Sequence, residues 1–201
     1  MAGALSVALV PVTATPAVAT KYCSGPNVGS NGDTPPTRDP GRFGFGWLVP
    51  SGTVMCLINQ ERQRVGAREL DSSGELTDAA RKHVDASLAQ KWWGSGDPHV
   101  NPQLPGDRDA QIIGRIRSSG YCANGRLSGY EIAYTGPGGF GTPNAALNWW
   151  LHLSKGDHAK IIRDPSLTDF GVMAKGGSAN KAEDTRNGSG TYVVEFGSCQ
   201  E

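Results

Sequence analysis

The stretch that decides the fold is residues 72–88, SSGELTDAARKHVDASL. Its apolar positions recur at the 3.6-residue spacing of an α-helix, so one face can pack against a core. That face consists of Leu76, Ala79, Ala80, His83, Val84 and Leu88. Ser72, with Glu75 three positions later, fits a capping box and predicts that the helix begins there. We interpret His83 as a packing residue of this helix.

One further helix is predicted on each side of this stretch. The preceding helix presents Met55, Ile58, Arg62 and Val65 on one face, and Gly66 is its stop signal. A shorter helix follows a loop over residues 92–109 and carries Ile112, Ile113 and Ile116. It is predicted to end at Gly120.

The C-terminal half is predicted to contain three strands and one longer helix. The strands cover residues 130–134, 170–175 and 191–196, which are rich in β-branched and aromatic residues. Thr142 and Pro143 form a cap and first-turn pair for a helix that ends at Gly156. A helical turn follows over 158–162, and residues 176–190 are predicted to be a mobile hairpin loop. This order predicts an α+β sandwich with an antiparallel sheet, not a βαβ series.

The N-terminus differs from the rest of the chain. Residues 1–20 carry no charge, and an apolar run precedes the small-x-small site at residues 17–19. We therefore predict a signal peptide over residues 1–19, a secreted protein and no membrane span after cleavage; the run is too short to span a bilayer. A positive n-region is missing, so the alternatives are that the true start lies upstream or that the segment is a disordered tail. Residues 20–52 are predicted to be an irregular arm and 53–199 a single domain.

Four dispersed cysteines support export. Cys23, Cys56, Cys122 and Cys199 all follow the predicted cleavage site. An even number of separated cysteines in an exported chain predicts two disulfides, with three connectivities that the sequence does not distinguish. Four buried thiols are the alternative, and the wide spacing disfavours a zinc–cysteine site.

The charge balance argues against nucleic-acid partners. Lys plus Arg equals Asp plus Glu at 19 each, and the isoelectric point is about 6.9. Such a chain has no long-range field to attract polyanions. The sequence also lacks a GxSxG nucleophile elbow, a GxGxxG dinucleotide loop and a GxxxxGK[ST] phosphate loop.

The candidate chemistry lies in two loop histidines and one strand carboxylate. Glu131 falls inside an apolar strand, where burying a carboxylate is costly without partners. His99 and His158 lie beside backbone that must bend, where a side chain can reach a cleft. If the three converge, they suit either Zn²⁺ with an open position or a metal-free acid–base cluster. The alternative for Glu131 is the solvent face of an alternating strand.

The order of motifs resembles the CAP superfamily, which comprises cysteine-rich secretory proteins, antigen 5 and pathogenesis-related 1 proteins and is also called the SCP domain. The resemblance covers roughly residues 53–198 and is greatest to the bacterial branch. It rests on Leu57-Ile58-Asn59-x-x-Arg62-x-x-x-Gly66, Leu70, Leu76-x-x-Ala79-Ala80, His99, Arg115-Ile116-x-x-x-Gly120-Tyr121, Tyr130-Glu131-Ile132-Ala133, Trp150, Ser154, His158-x-x-Ile161-Ile162-x-x-Pro165, Phe170-Gly171-Val172 and Tyr192-Val193-Val194-x-Phe196-Gly197.

The resemblance implies a three-layer α-β-α sandwich with a central antiparallel sheet and a cleft that binds Zn²⁺ in some members. Carried over, the metal ligands are His99, His158 and Glu131. Two departures alter this pattern: Tyr130 and Ile132 replace the Gly and Asn that flank the family glutamate, and no second cleft acid is apparent.

From the sequence we expect an extracellular binding or interaction role rather than catalysis. No single role is common to the family, so the resemblance implies several candidate partners. They are a small ligand such as a lipid or sterol, a peptide, and a cell-wall component. The alternative is an extracellular metal-dependent hydrolase of peptide or cell-wall substrates, in which Glu131 is the general base.

Overall fold

The computed structural model describes residues 32–38, 46–184 and 187–200. The helices are α1 (Leu48–Arg64), α2 (Gly74–Gln90), α3 (Arg108–Ser118), α4 (Pro143–Asn148) and α5 (His158–Arg163). The strands are β1 (Asp71–Ser72), β2 (Arg126–Gly136), β3 (Asp169–Gly176) and β4 (Gly190–Gln200). A π-helical turn (Trp149–Leu153) follows α4, and 3-10 turns cover Gly138–Phe140 and Lys181–Glu183.

The four strands form one sheet in the order β1-β3-β4-β2. The pairs β3–β4 and β4–β2 are antiparallel, as predicted. The two-residue β1 adds a parallel pair, because Asp71 and Ser72 align with Asp169 and Phe170 of β3. β2 is an edge strand, and this position exposes one side of its backbone.

The sheet is covered on both faces, which confirms the predicted three-layer sandwich. One face of the sheet is covered by a single core cluster. It contains Val54 of α1, Ile162 of α5 and Trp150 of the π-helical turn. On the other face α2 and α3 pack against the alternate residues of the same strands, in two smaller clusters. Successive residues such as Ile132 and Ala133 therefore serve opposite layers.

The predicted helices are present, with shifted ends. α1 begins at Leu48, inside the segment predicted to be an irregular arm, and stops before Gly66, whose φ of +77° favours glycine. The N-cap of α2 is Ser73, not Ser72: its Oγ accepts from the Leu76 amide and donates to Glu75. Ser72 lies one residue before the N-cap and pairs with Phe170 as part of β1.

The helix predicted to run from Thr142 to Gly156 is divided. Thr142 caps α4 by accepting from the Ala145 amide, as predicted. After Asn148 the backbone changes to the π-helical turn and ends at Ser154. The change precedes the buried Trp150, whose indole Nε1 donates to the Ala133 carbonyl at 3.1 Å.

Residues 176–190, predicted to be a mobile loop, are well packed at both ends, over 177–179 and 189–190, whereas Lys181, Ala182 and Asn187 are exposed. Ser178 and Ala179 are fully buried. The Ala179 amide donates to the hydroxyls of Thr135 and Thr191, and Thr191 donates to the Gly177 carbonyl. The polar composition of the segment suggested a solvated loop. In the structure, however, these threonine hydroxyls hydrogen-bond the backbone of the loop and allow it to be buried.

One predicted disulfide lies within the described residues, between Cys122 and Cys199, with the Cα atoms 5.4 Å apart. It closes the end of the β2–β4 pair. Cys56 is also disulfide-bonded. Cys23 lies outside the described residues, as does the predicted signal peptide. In the described segments no helix is long and apolar enough to cross a membrane.

Candidate functional site

A cleft of about 840 Å³ runs along the outer edge of β2, between α3 and α5. Its floor is the strand segment from Ser128 to Glu131. Ile112 and Ile113 of α3 form one wall, and His158 and Ile161 of α5 lie on the other. Among the described residues, no further strand pairs with the outer edge of β2.

Glu131 is bound through both carboxylate oxygens. Its Oε1 accepts from His99 Nδ1 at 2.7 Å, and its Oε2 accepts from Arg115 at 2.5 Å. Its side chain is fully buried. Burial alone would raise its pKa, but His83, Arg115 and His99 outweigh burial and hold the pKa of Glu131 well below its ordinary value. Glu131 is therefore an ionised group that is hydrogen-bonded from two sides, by the imidazole of His99 and the guanidinium of Arg115.

A second acid, Glu195, lies directly opposite Glu131 in the β2–β4 register. Its side chain is also fully buried, and Arg115 Nε donates to its Oε1 at 3.3 Å. Burial, followed by the charge of Glu131, raises the pKa of Glu195 well above its ordinary value. Glu195 therefore keeps its proton to higher pH than an ordinary glutamate does, and its Oε2 has no hydrogen-bond partner among the described residues.

His99 is oriented from both ends. The Asp97 carboxylate accepts from the His99 backbone amide at 2.9 Å and is itself paired with Arg108. Because Glu131 is ionised, His99 Nδ1 must carry the proton of their hydrogen bond. With that proton on Nδ1, the tautomer that can bind a metal or accept a hydrogen bond has its lone pair on Nε2. This is the arrangement in which a carboxylate orients an imidazole for a ligand.

His158 lies in the same cleft, with its ring centroid 6.3 Å from that of His99. Its Nδ1 is 2.5 Å from Ser154 Oγ, and its ring packs 5.1 Å from that of Trp149. Burial, and then the neighbouring His99, lowers the pKa of His158 to about 4. The imidazole is therefore neutral at physiological pH.

The short helix α5, which carries His158, is held in place by α1. Arg62 is fully buried and donates to the carbonyls of Arg68, Ile162, Asp164 and Leu167. The neighbouring Glu61 accepts from Arg163 at 2.7 Å. Six residues are too few for a stable isolated helix, so these contacts fix its position.

His83 is closer to the site than its assignment as a packing residue implied. It is buried on α2, its Nε2 lies 2.8 Å from the Pro98 carbonyl, and the same nitrogen is 3.6 Å from Glu131 Oε1. Burial is the largest cause of its lowered pKa, so it is a neutral donor to Pro98. His83 thereby supports the loop that carries His99.

The structure brings His99, Glu131 and His158 together, but not as three equivalent ligands. His99 and His158 each keep Nε2 after their Nδ1 atoms are engaged. Both oxygens of Glu131 are occupied, and its side chain is inaccessible. In the part of the chain that the structure describes, no group of three or more His, Cys, Asp or Glu side chains could hold a metal ion. His99 and His158 share the cleft, whereas Glu131 is held by His99 and Arg115 beneath it.

Sequence reasoning missed Glu195 and Arg115 as members of the site. Glu195 interrupts the apolar strand 191–196 just as Glu131 interrupts 130–134, and that anomaly is the signal that would have identified it. Arg115 was noted only as part of a motif. Its partners, two carboxylates on separate strands, depend on strand register, which a local pattern does not give.

Comparisons with known proteins agree with this architecture. Residues 56–196 match the model of the cysteine-rich secretory protein family, CAP. No curated protein matches the sequence. The fold is similar to an extracellular SCP-domain protein of Bacillus anthracis, at 19% identity and a TM-score of 0.50 over 74% of this chain and 41% of that one.

A second structure with this fold is an outer surface protein of Borrelia burgdorferi, at 18% identity and a TM-score of 0.50. The match covers 73% of this chain and 90% of that one. The present chain thus spans less than half of the Bacillus protein but nearly all of the Borrelia protein. Since the family match covers well over half of the sequence, the chain belongs to the cysteine-rich secretory protein (CAP) family.

Proposed function

We propose that this CAP domain is an extracellular binding protein whose cleft holds a divalent cation, Zn²⁺, between His99 and His158. The observation that carries the proposal is the pair of imidazoles in one cleft, with ring centroids 6.3 Å apart. Two imidazoles that share a tetrahedral zinc ion through Zn–N bonds of roughly 2.1 Å have ring centroids about 5–5.5 Å apart. The two rings therefore have to move about 1 Å closer to each other to share the ion.

The protonation states support the same assignment. Metal ligation requires neutral imidazoles, and the lowered pKa of His158 keeps it neutral. Glu131 holds the Nδ1 proton of His99 and thereby directs the Nε2 lone pair to the cleft side. In this proposal Glu131 is a positioning residue and not a ligand. Two protein ligands leave coordination positions for donor atoms of a bound molecule.

An extracellular location is supported by chemistry and by the similar structures. Disulfides such as Cys122–Cys199 persist in oxidising compartments. The two structural relatives are an extracellular protein and an outer surface protein. Recovery of the protein from the culture medium, with the Cys122–Cys199 bond formed, is the expected result. Retention of the full chain inside the cell would contradict the location.

The ligand is proposed to be partly apolar. Ile112, Ile113 and Ile161 supply apolar walls beside the two imidazoles. A lipid or sterol, a peptide and a cell-wall component all meet that description. The hydrolase alternative is not supported, because Glu131 is doubly bound and its low pKa makes it a weak base.

Calorimetric titration with Zn²⁺ at neutral pH tests the cation site. Single variants His99→Gln and His158→Gln are expected to lose at least tenfold in affinity. His152→Gln is the matched control, because His152 is exposed and does not line the cleft. Equal affinity in all four proteins would remove the cation from the account.

A further inference from the structure

The outer edge of β2 carries unpaired main-chain groups inside the cleft. Along a strand, the N–H and C=O of successive residues point to opposite edges. The Gly197 carbonyl of β4 accepts from the Thr168 amide, next to β3, at 3.1 Å. Odd-numbered residues of β4 therefore face β3, and even-numbered residues face β2.

The register then decides which residues of β2 face outward. Phe196 is paired with Tyr130, so Tyr130 turns its backbone toward β4. Its neighbours Gly129 and Glu131 must turn theirs away from the sheet. The Ala133 carbonyl, two residues further along, confirms this parity, because it accepts from Trp150 rather than from β4.

These outward groups differ in exposure: Leu127 and Gly129 are half-buried, and Glu131 is nearly buried. The main-chain groups of Leu127, Gly129 and Glu131 have no hydrogen-bond partner outside the sheet ladder within the described ranges. The side chain of Glu131 is completely buried, whereas the whole residue keeps 4% exposure. The remaining exposure of Glu131 therefore belongs to its backbone, at the floor of the cleft.

We infer that the cleft binds an extended peptide as a fifth strand on the outer edge of β2. Donor and acceptor pairs that repeat every second residue complement the main chain of a peptide strand in both charge and spacing. A sterol or a compact sugar offers no such repeat. The inference rests on the cleft of the proposed function and names its ligand class, but it does not require the cation.

The walls of the cleft select a single strand rather than another sheet. The edge is recessed between Ile113 of α3 and Ile161 of α5, which line the same cleft. An added strand would place alternate side chains toward these two walls. Trp150 covers the edge at Ala133, so the available segment is short, from Leu127 to Glu131. Five strand residues extend about 17 Å.

Amide hydrogen exchange, followed by NMR on the full chain without metal and with chelator, tests the inference. The probe is acetyl-Val-Thr-Val-Thr-Val-amide, and its fully N-methylated analogue is the control because it has no main-chain donors. At saturating probe the Gly129 and Glu131 amides are expected to exchange at least tenfold more slowly. The amides of Ser128 and Tyr130, already within the ladder, should not change.

Three results would overturn the inference: no protection of Gly129 and Glu131, equal binding of the methylated probe, or protection of both amides in the free protein. The last would mean that another part of this chain or a second copy occupies the edge. A zinc titration that succeeds while the peptide fails would leave the proposed function intact.

A pair of variants adds a check on the protein side. Gly129→Pro removes the outward N–H, and Gly129→Ala introduces a Cβ while keeping it. In both, the new Cβ meets the terminal methyl groups of Ile116 and Ile113, so the alanine variant controls for this crowding. Binding should be lost in the proline variant and retained in the alanine variant. If the proline variant does not fold, the N-methylated probe still decides the question with the unaltered protein.

Discussion

Glu131 and Glu195 lie directly opposite each other on β2 and β4, and both side chains are completely buried. The main-chain N–H and C=O groups of the two residues point away from each other. They are thus a non-hydrogen-bonded antiparallel pair, in which the side chains lie close together. Arg115 can neutralise only one negative charge. The pair therefore ionises unequally, with Glu131 charged and Glu195 protonated.

Replacing Glu195 by glutamine should be tolerated. A glutamine can donate to Glu131 and accept from Arg115, so the neutral acid is mimicked. Because the folded-state pKa of Glu195 is raised, the wild type loses stability as pH rises above 4.5 toward that folded-state pKa. We expect Glu195→Gln to flatten this decline and to increase stability at pH 8, as measured by urea unfolding.

The matched variant is Glu131→Gln, which removes the ionised partner instead. It leaves Arg115 buried without its main counter-charge and should cost about 3–5 kcal/mol. If Glu195→Gln proves to be the more damaging of the two, the assignment of charge within the pair is reversed.

Arg115 should be strongly coupled to Glu131. Arg115→Met leaves a buried carboxylate with only His99 as a donor and is expected to destabilise the fold by about 3–5 kcal/mol. The double variant Arg115→Met, Glu131→Gln should recover at least about 1 kcal/mol of the summed losses. Simple additivity in this cycle, measured by chemical unfolding, would rule out a buried ion pair.

The titration of His158 should make the protein less stable in mild acid. Its folded-state pKa of about 4 lies below the ordinary value of 6.5, because of burial and then His99. Between these values the unfolded chain binds a proton that the folded chain does not, so stability falls as pH drops from 6.5 to 4. Thermal unfolding of His158→Gln should show a shallower decline.

His152→Gln serves as the control for this pH profile, since His152 is exposed. His83 has a lowered pKa as well, so some acid sensitivity will remain in the His158 variant. Superimposable pH profiles of wild type and His158→Gln would show that His158 titrates normally in the folded protein.

Arg62 should act on the site from a distance through α5. Arg62→Lys cannot reproduce the donors to four carbonyls, and leaving buried carbonyls unpaired costs about 1–3 kcal/mol each. We expect at least about 2 kcal/mol lost in urea unfolding, together with weaker Zn²⁺ binding. Arg64→Lys, on the exposed side of α1, should change stability by less than about 0.5 kcal/mol.

An Arg62 variant that destabilises the fold yet binds Zn²⁺ as tightly as wild type would show that α5 keeps its position without this residue. The two readouts are needed together, because a merely structural role would move only the first.

The sequence was sufficient for the main helices and the three longer strands, and the three-layer order followed from the family resemblance. Periodic apolar faces, Gly66 and Gly120 as stops and the Thr142 cap are local signals, and each corresponds to an element end in the structure. The shift from Ser72 to Ser73 arose because β1, only two residues long, takes its conformation from pairing with β3. No local pattern encodes that contact.

For the site, the sequence indicated which residues are unusual but not how they are paired. Glu131 was singled out because a carboxylate in an apolar strand needs partners. Its partner Arg115 lies 16 positions away, and Glu195 is 64 positions away on β4. Their convergence depends on register and on the docking of α3, which arise only in the assembled fold.

The most direct test of the central claim is an NMR titration that follows the imidazole nitrogens of the histidines as Zn²⁺ is added at neutral pH. The account predicts that the Nε2 signals of His99 and His158 shift together at one equivalent of zinc, while His99 Nδ1 keeps its proton toward Glu131. Unchanged signals from both residues, or a shift confined to the exposed His152, would contradict it.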